Sequence, residues 1–236
     1  MGMGLYYFDY TYFVYIVPAL IVTMIAQFRV KSTFEKYSRI STARNMTGAQ
    51  AASSVAQFGG APGVQVQRIS GSLTDHFDPR DNTISLSDQV YASTSIAALG
   101  VAAHEAGHAI QHAQGYLPNK IRTVLVPITN FGSRLAVPLI IVGLFLPVQY
   151  DFVVNLGIAL YSFAVLFQLA TLPVEFNASF RAIRALDEAD ILYPDELEGA
   201  KKVLRAAAMT YLAASFTAIM SLLRLLVLAG NRRGRD

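Results

Sequence analysis

The stretch SIAALGVAAHEAGHAIQH, residues 95–112, contains three of the four histidines of the chain. His104 and His108 lie four positions apart with Glu105 between them, a spacing that puts both imidazoles on one face of a helix. The residues before His104 are apolar, so the imidazoles would emerge from a buried helix. Unpaired polar groups are costly there, and coordination of a divalent cation removes that cost. The pattern predicts a zinc site.

The composition around this stretch is that of a membrane protein. Hydrophobic residues make up 53% of the chain, charged residues make up 15%, and the mean hydropathy is +0.40. Cysteine is absent, which excludes disulfides and thiolate metal ligands, so any metal must use His, Asp or Glu. The net charge of +3 is mild, and the basic residues flank apolar runs. We interpret them as topology signals and expect no nucleic-acid partner.

The first apolar run, residues 10–28, is long enough to cross a bilayer. No Lys or Arg precedes it and no small-residue cleavage pattern follows it, which argues against a signal peptide. Five cations follow within a short distance: Arg29, Lys31, Lys36, Arg39 and Arg44. By the positive-inside rule this flank faces the cytoplasm, and we expect the N-terminus to lie outside.

Two further apolar runs, residues 132–150 and 152–172, are separated by almost no linker and predict a helical hairpin that crosses out and back. The tip of this hairpin carries no Lys or Arg, as an external turn should. The following segment, residues 173–205, is predicted to be cytoplasmic because it is rich in cations, among them Arg181, Arg184, Lys201, Lys202 and Arg205.

A fourth apolar run, residues 209–229, leaves the number of spans at three or four. If it spans, the basic tail NRRGRD lies outside, against the rule that the earlier segments obey. The alternative is a helix that lies in the membrane interface or packs beneath it.

Residues 29–131 have a more soluble character and predict a small α+β module on the cytoplasmic side. Residues 33–58 have a helical composition, and residues 64–69 and 83–87 resemble strands on either side of a turn. The histidine-rich helix is expected to run from about Ser87 or Asp88 to Gln114. The predicted fold class is therefore a mostly α-helical membrane protein with a small α+β metallopeptidase module.

Residues beyond His108 bear on the third zinc ligand. The metzincin pattern requires glycine at 111 and histidine at 114, and the chain has Gln111 and Gln114 instead. His112 lies two helical turns beyond His104 and is displaced in angle, so it fits an outer or substrate-facing position better than a ligand position. An acidic residue from a later helix remains as the source of the third ligand.

Among the later acidic residues, Glu175 is best placed to be that ligand. It follows Pro173, where the third apolar run ends at the predicted cytoplasmic face. The acids between 187 and 198 fall in a charged, solvated stretch. A capping or interfacial carboxylate is the alternative role for Glu175.

Several motifs, in order and with their spacings, resemble the YugP-type membrane zinc metallopeptidases and, more distantly, the heat-shock membrane protease and CAAX prenyl endopeptidase group. They are GSLTDHFDP at 71–79, ISLS at 84–87, VAAHEAGHAIQH at 101–112, TLPVEFNASFRA at 171–182 and RAAAMTYLAAS at 205–215. This resemblance implies that zinc is bound by His104, His108 and Glu175, and that Glu105 is the catalytic base.

The chain departs from the distant group at one position that affects the zinc ligands. In that group an Asp four residues after the ligand Glu orients a ligating histidine. The corresponding residue here is Ser179. Ser179 itself or Asn177 could take over this role.

The predicted chemistry is peptide hydrolysis, with peptides or membrane proteins as substrates. His76, His112 and Arg181 are the candidates for stabilising the oxyanion. We also expect Ile84, Ser85, Leu86 and Ser87 to form an edge strand that pairs with an extended substrate. Two alternatives are a structural zinc site without proteolysis and a protease whose histidine helix itself spans the membrane. The oligomeric state is left open.

Overall fold

The structure is a computed structural model that describes residues 10–233, which form helices and one small sheet. A short π-helical turn, Tyr12–Ile16, precedes α1. The helices are α1 (Val17–Ser38), α2 (Gly48–Phe58), α3 (Asp88–Tyr91), α4 (Ile96–Ala113), α5 (Leu117–Phe145), α6 (Asp151–Glu188) and α7 (Pro194–Arg233), and the strands are β1 (Gln65–Ile69), β2 (His76–Asp78) and β3 (Thr83–Ser87).

Four of the described helical segments are long and apolar enough to cross a membrane: Tyr12–Ser38, Leu117–Phe145, Val148–Glu188 and Pro194–Asn231. The helix that carries His104 and His108, α4, is not one of them. Together with the small sheet, these helices confirm the predicted fold class, a mostly α-helical membrane protein with a small α+β part. The fourth apolar run lies within α7, which also includes the charged residues that precede it.

The chain divides into two compact units. Within the described residues, unit 1 comprises 10–25, 123–170 and 211–233, and unit 2 comprises 26–122 and 171–210. The core of unit 2 is rich in alanine, with fully buried Ala97, Ala98, Ala102 and Ala106 on α4. Small side chains let helix backbones approach closely, which brings polar groups of neighbouring helices within bonding distance.

The sheet has the strand order β1-β3-β2, with β3 parallel to β1 and antiparallel to β2. The prediction that residues 84–87 form an edge strand is therefore wrong. All five residues of β3 are buried, and Asp75 accepts hydrogen bonds from the backbone N–H (2.7 Å) and the hydroxyl (3.1 Å) of Ser87. With neighbours on both sides, Ile84, Ser85, Leu86 and Ser87 cannot pair with a substrate; β1 and β2 are the edges.

The helix predicted from Ser87 or Asp88 to Gln114 is interrupted, because α3 ends at Tyr91 and α4 begins at Ile96. The residues between them bond to the segment that follows α1. Thr94 O accepts from Thr42 N, and Ile96 N donates to Ile40 O, both at 2.9 Å. These long-range bonds replace the intrahelical bonds that a continuous helix would need.

Candidate metal site

Helix α4 places His104 and His108 one turn apart on the same face. The helix begins where Ser95 Oγ accepts a hydrogen bond from Ala98 N (3.2 Å), the usual arrangement at a helix N-cap. The two imidazole centroids are 4.8 Å apart and their planes are nearly perpendicular, at 83°. One turn of a well-anchored helix thus presents two nitrogen donors to the same point.

Glu175, on α6, brings a carboxylate to that point. Its Oε2 atom lies 3.4 Å from Nε2 of His104 and 3.4 Å from Nε2 of His108. The three donor atoms all lie within 4.8 Å of one another, and the Glu175 side chain is 2% exposed. The structure therefore brings together the three residues proposed from the sequence as zinc ligands.

The environment of Glu175 Oε2 is one in which a bound cation would be stabilising. Among the described residues of unit 2, it is the one buried side-chain polar atom that has no hydrogen-bond partner. An unsatisfied buried carboxylate oxygen is costly unless a cation or a donor compensates it. Two imidazole nitrogens and one carboxylate oxygen are also the donors that catalytic zinc sites use. The residues present fit a zinc ion.

The other oxygen of this carboxylate is held by an arginine. Glu175 Oε1 and Arg122 Nη1, at the start of α5, form an ion pair at 2.7 Å. A charge-assisted bond at this distance fixes the orientation of the carboxylate and engages one of its two oxygens. Oε2 is then the oxygen that faces the imidazoles.

Each imidazole uses its Nδ1 atom for a second contact. His104 Nδ1 lies 3.0 Å from Ser179 Oγ, and His108 Nδ1 lies 3.1 Å from Gln111 Oε1. An amide oxygen only accepts, so His108 donates from Nδ1 and carries its lone pair on Nε2. Such outer contacts orient the imidazoles that bind metals.

Gln111 is the buried end of a hydrogen-bond network that reaches the exposed Gln114. Its side chain is fully buried, and its amide group donates to Val174 O (2.8 Å) and to Asn177 Oδ1 (3.0 Å). Asn177 Oδ1 also accepts from Arg181 Nε (2.6 Å), and Arg181 donates a further hydrogen bond to Gln114 Oε1. Of the two residues proposed to orient a histidine, Ser179 contacts an imidazole directly, whereas Asn177 contacts Gln111.

The three candidates for an oxyanion donor differ in how they are engaged. Arg181 is committed to the amide network through Asn177. The ring of His112 lies 5.8 Å from that of Phe77, and His112 is not one of the three clustered donors. His76 is exposed and uses its Nδ1 atom in a contact with Thr74 O (2.9 Å).

Glu105 lies between the two histidines in sequence and is buried, with 8% of its surface exposed. Burial raises the pKa of the Glu105 carboxyl above its ordinary value, and the Glu175 and Asp75 carboxylates act in the same direction while His104 and His76 oppose them. A carboxylate whose pKa is shifted towards neutrality is a better proton acceptor in catalysis than an ordinary one.

Gly107, in the middle of the H-E-A-G-H motif, explains how α4 reaches α6. A Cβ atom at this position would lie 2.3 Å from the backbone oxygen of Ala178, so the two helix backbones touch here. Ala178 is three residues after Glu175, within one turn of α6. The glycine therefore sets the separation between the helix with the histidines and the helix with the carboxylate.

Residues 12–230 match a protein family described as "Putative neutral zinc metallopeptidase". The chain belongs to this family. It is also 43% identical over 220 residues to the "Putative membrane protease YugP" of Bacillus subtilis (strain 168), an alignment that covers 93% of this chain and 96% of the relative. No solved structure gives a significant match. The resemblance to YugP-type proteins is confirmed.

Sequence reasoning missed two residues of this family member's site, Arg122 and Gln111. Arg122 interrupts an otherwise apolar stretch, IRTVLV, and a lone cation in such a stretch usually has a buried partner. That signal could have identified it. Gln111 had served only to exclude the metzincin pattern, although it lies three residues after a predicted ligand and on the same helix face.

Proposed function

We propose that this chain is a membrane zinc metalloendopeptidase that hydrolyses peptide bonds at the cytoplasmic face of the membrane. The observation that carries this proposal is the convergence of His104, His108 and Glu175 around a carboxylate oxygen that is buried and has no hydrogen bond. Membership of a zinc metallopeptidase family and a membrane protease relative support the same class of chemistry.

His104, His108 and Glu175 would hold the zinc ion. Zinc in such a site supplies a Lewis acid that polarises a carbonyl and acidifies water. Glu105 takes the proton of the attacking water and delivers it to the departing amine, as a general base and then a general acid. Its burial and raised pKa suit both steps.

The contacts around the ligands support a catalytic arrangement. Gln111 and Ser179 orient the imidazoles, and Arg122 engages one oxygen of Glu175. Three protein ligands leave an open position, as catalytic sites require, whereas structural zinc sites are usually closed by four. Within residues 10–233, the donor group around these histidines has three members. This disfavours the structural alternative.

The histidine helix is also unlike a spanning segment. Helix α4 is not among the described helices that are long and apolar enough to cross a membrane. This favours a site outside the bilayer over the intramembrane alternative. The cytoplasmic location and the external N-terminus rest on the cations that follow the first and third apolar runs.

Strand β2 is an edge of the sheet, and we propose that it binds the substrate. Phe77 on β2 contacts the ring of His112 on α4, and the charges of Asp75 and His76 act on Glu105. An extended peptide that pairs with β2 would therefore lie beside the proposed base. Pairing through the backbone depends little on the identity of the side chains. Unfolded segments of membrane proteins are therefore suitable substrates.

Backbone N-methylation of a model peptide tests this pairing without altering the enzyme. Methylation at alternate positions around the cleaved bond should lower kcat/KM about tenfold, because each blocks one strand hydrogen bond. A matched series with methyl groups on side chains is the control. Equal losses at consecutive backbone positions would contradict pairing with a strand.

The variant Glu105→Gln tests the proposed reaction. Because it removes the base and keeps the ligands, the purified variant should retain zinc and lose about 10²- to 10⁴-fold in cleavage of an unfolded protein. Glu188→Gln, which alters an exposed carboxylate paired with Arg184, is the control and should keep full activity. Undiminished cleavage by the Glu105 variant would exclude it as the base.

A further inference from the structure

A groove of about 570 Å³ in unit 2 lies between the end of α1 and the beginning of α7. It is lined by Arg29 and Lys36 from α1 and by Lys202 and Arg205 from α7. Four cations on one concave surface repel one another and together attract an anion.

None of these four cations forms a salt bridge with another described residue. The carboxylates close to them in sequence form salt bridges with cations that do not line the groove. Glu198, one turn before Lys202, pairs with Lys201 at 2.7 Å, and Glu35, next to Lys36, pairs with Lys31 at 4.0 Å. The Glu198 carboxylate still interacts with Lys202 and Arg205 through space, so it offsets part of the positive charge of the groove without forming a salt bridge to either cation.

The walls of the groove are firmly packed. A Cβ atom on Gly199 of α7 would lie 2.8 Å from the ring of Tyr37 of α1, and that tyrosine is 8% exposed. Lys36 lies over the same ring at 5.5 Å. Because the two helices touch here, the four cations project from fixed backbones, which lowers the entropic cost of binding a ligand.

The groove also lies where each helix changes from charged to apolar. Arg29 directly follows the apolar run 10–28, and Arg205 precedes the apolar run 209–229 by one turn. Met209, which begins that run, lines the groove and is 42% exposed. A ligand of this site would meet the cations and, beside them, the exposed apolar side chain of Met209.

We propose that this groove binds the phosphate headgroup of an anionic phospholipid. Basic pockets between the ends of membrane helices suit such headgroups, and each Lys or Arg contributes about 1 kcal/mol near an anionic surface. The hydroxyl of Thr33 in the lining adds a hydrogen-bond donor for a phosphate oxygen, whereas the Ser32 hydroxyl donates to Arg29 O at 3.2 Å. A soluble phosphate would share the cations but would gain nothing from the exposed Met209.

The full-length protein in nanodiscs of phosphatidylcholine mixed with phosphatidylglycerol provides the test. After transfer to detergent, native mass spectrometry measures which lipid stays bound. The wild-type protein should retain phosphatidylglycerol in preference to phosphatidylcholine. The double variant Lys202→Gln/Arg205→Gln should lose this preference by ~25-fold, about fivefold for each cation removed.

The control is Lys31→Gln, which removes an exposed cation of α1 that is paired with Glu35 and does not line the groove. It should bind lipid as the wild-type protein does. If the double variant is poorly folded by thermal unfolding, the single variants Lys36→Gln and Lys202→Gln, each at an exposed cation without a salt bridge, replace it.

A second arm adds inorganic phosphate to the detergent-solubilised protein. If inorganic phosphate leaves the bound phosphatidylglycerol in place, a lipid is the ligand. If it displaces the lipid completely and the variants lose phosphate binding to the same extent, the site is a free phosphate site and the lipid assignment is wrong. Equal lipid retention by the wild-type protein and the double variant would overturn the proposal altogether.

Discussion

Units 1 and 2 both expose some large apolar side chains, but they differ in how many they bury, since the large core lies in unit 2 and unit 1 has only a small one. In unit 1, Phe145 is 87% exposed, and Phe131, Leu166 and Val124 are also largely exposed. In unit 2, Ile84, Leu86, Leu99 and Leu186 are fully buried. Outward apolar surface of this extent is stable in a lipid environment, whereas the larger core of unit 2 is buried within the protein itself.

The polar groups of the two units differ as well. Within unit 1, the hydroxyls of Thr23 and Thr217 bond to each other at 3.0 Å, as isolated polar groups on apolar helices do. Within unit 2, the buried Glu175 and the half-buried His104 and His108 bring three metal-binding donor atoms within 4.8 Å of one another. Unit 2 thus brings three ligand-type side chains together at one point, which is the expected pattern where a fold houses chemistry.

The largest expected difference between the units is in the cost of removing an apolar side chain. Leu186→Ala should lower the free energy of unfolding by about 2–5 kcal/mol, because it leaves a cavity in a closed core. Phe145→Ala in unit 1 should change it by less than about 0.5 kcal/mol, since the ring makes few contacts within the protein. Denaturant titration of both variants in detergent measures the two values. Similar losses of unfolding free energy in the two variants would contradict this difference between the units.

Two glycines of α4 give the next largest contrast, this time within unit 2. Gly107→Ala should cost about 3 kcal/mol and weaken zinc binding, because its Cβ would meet a backbone oxygen of α6 that cannot move aside. Gly100→Ala is the matched control. Its Cβ would lie 3.7 Å from Ala200, an ordinary contact, and alanine favours the helix by roughly 0.5–1 kcal/mol. Thermal unfolding that ranks the two variants in the reverse order would contradict the assigned role of Gly107.

What the sequence predicted correctly rests on local signals. The long apolar runs appear as helices, the strands β1 and β3 lie where the composition placed them, and the H-E-A-G-H spacing falls within a single helix. Helical and strand periodicities depend on neighbours a few positions away, so they can be read from one chain. The proximity of Glu175 to the two histidines was expected because its position after an apolar run limited where it could lie, while its role as a zinc ligand stays a prediction.

What the sequence did not predict depends on contacts between distant segments. The order of the strands is set by which side chains the sheet buries on both sides, and β3 alternates polar and apolar residues although all five are buried. The ion pair of Arg122 with Glu175 joins two helices far apart in the chain. The break before α4 depends on bonds to residues 40–42. None of these three features produces a helical or strand periodicity in the sequence.

The smallest effect expected at the candidate metal site is the loss of zinc affinity on substitution of Gln111. Gln111→Ala removes the acceptor that orients His108 and should weaken zinc binding about tenfold, near the lower limit for an outer contact because the amide is neutral. Competition with a chelator measures the affinity. Gln57→Ala, which alters an exposed glutamine of α2 outside this network, is the control and should bind zinc as the wild-type protein does.

Because Gln111 also packs in the interior, the zinc affinity has to be separated from a general loss of stability. Unfolding of the metal-free Gln111→Ala and Ser179→Ala variants provides this separation. Ser179→Ala removes a contact to the other imidazole with little change in packing, and it should also weaken zinc binding. If both variants lose stability but bind zinc as the wild-type protein does, these residues support the fold of unit 2 without orienting the histidines.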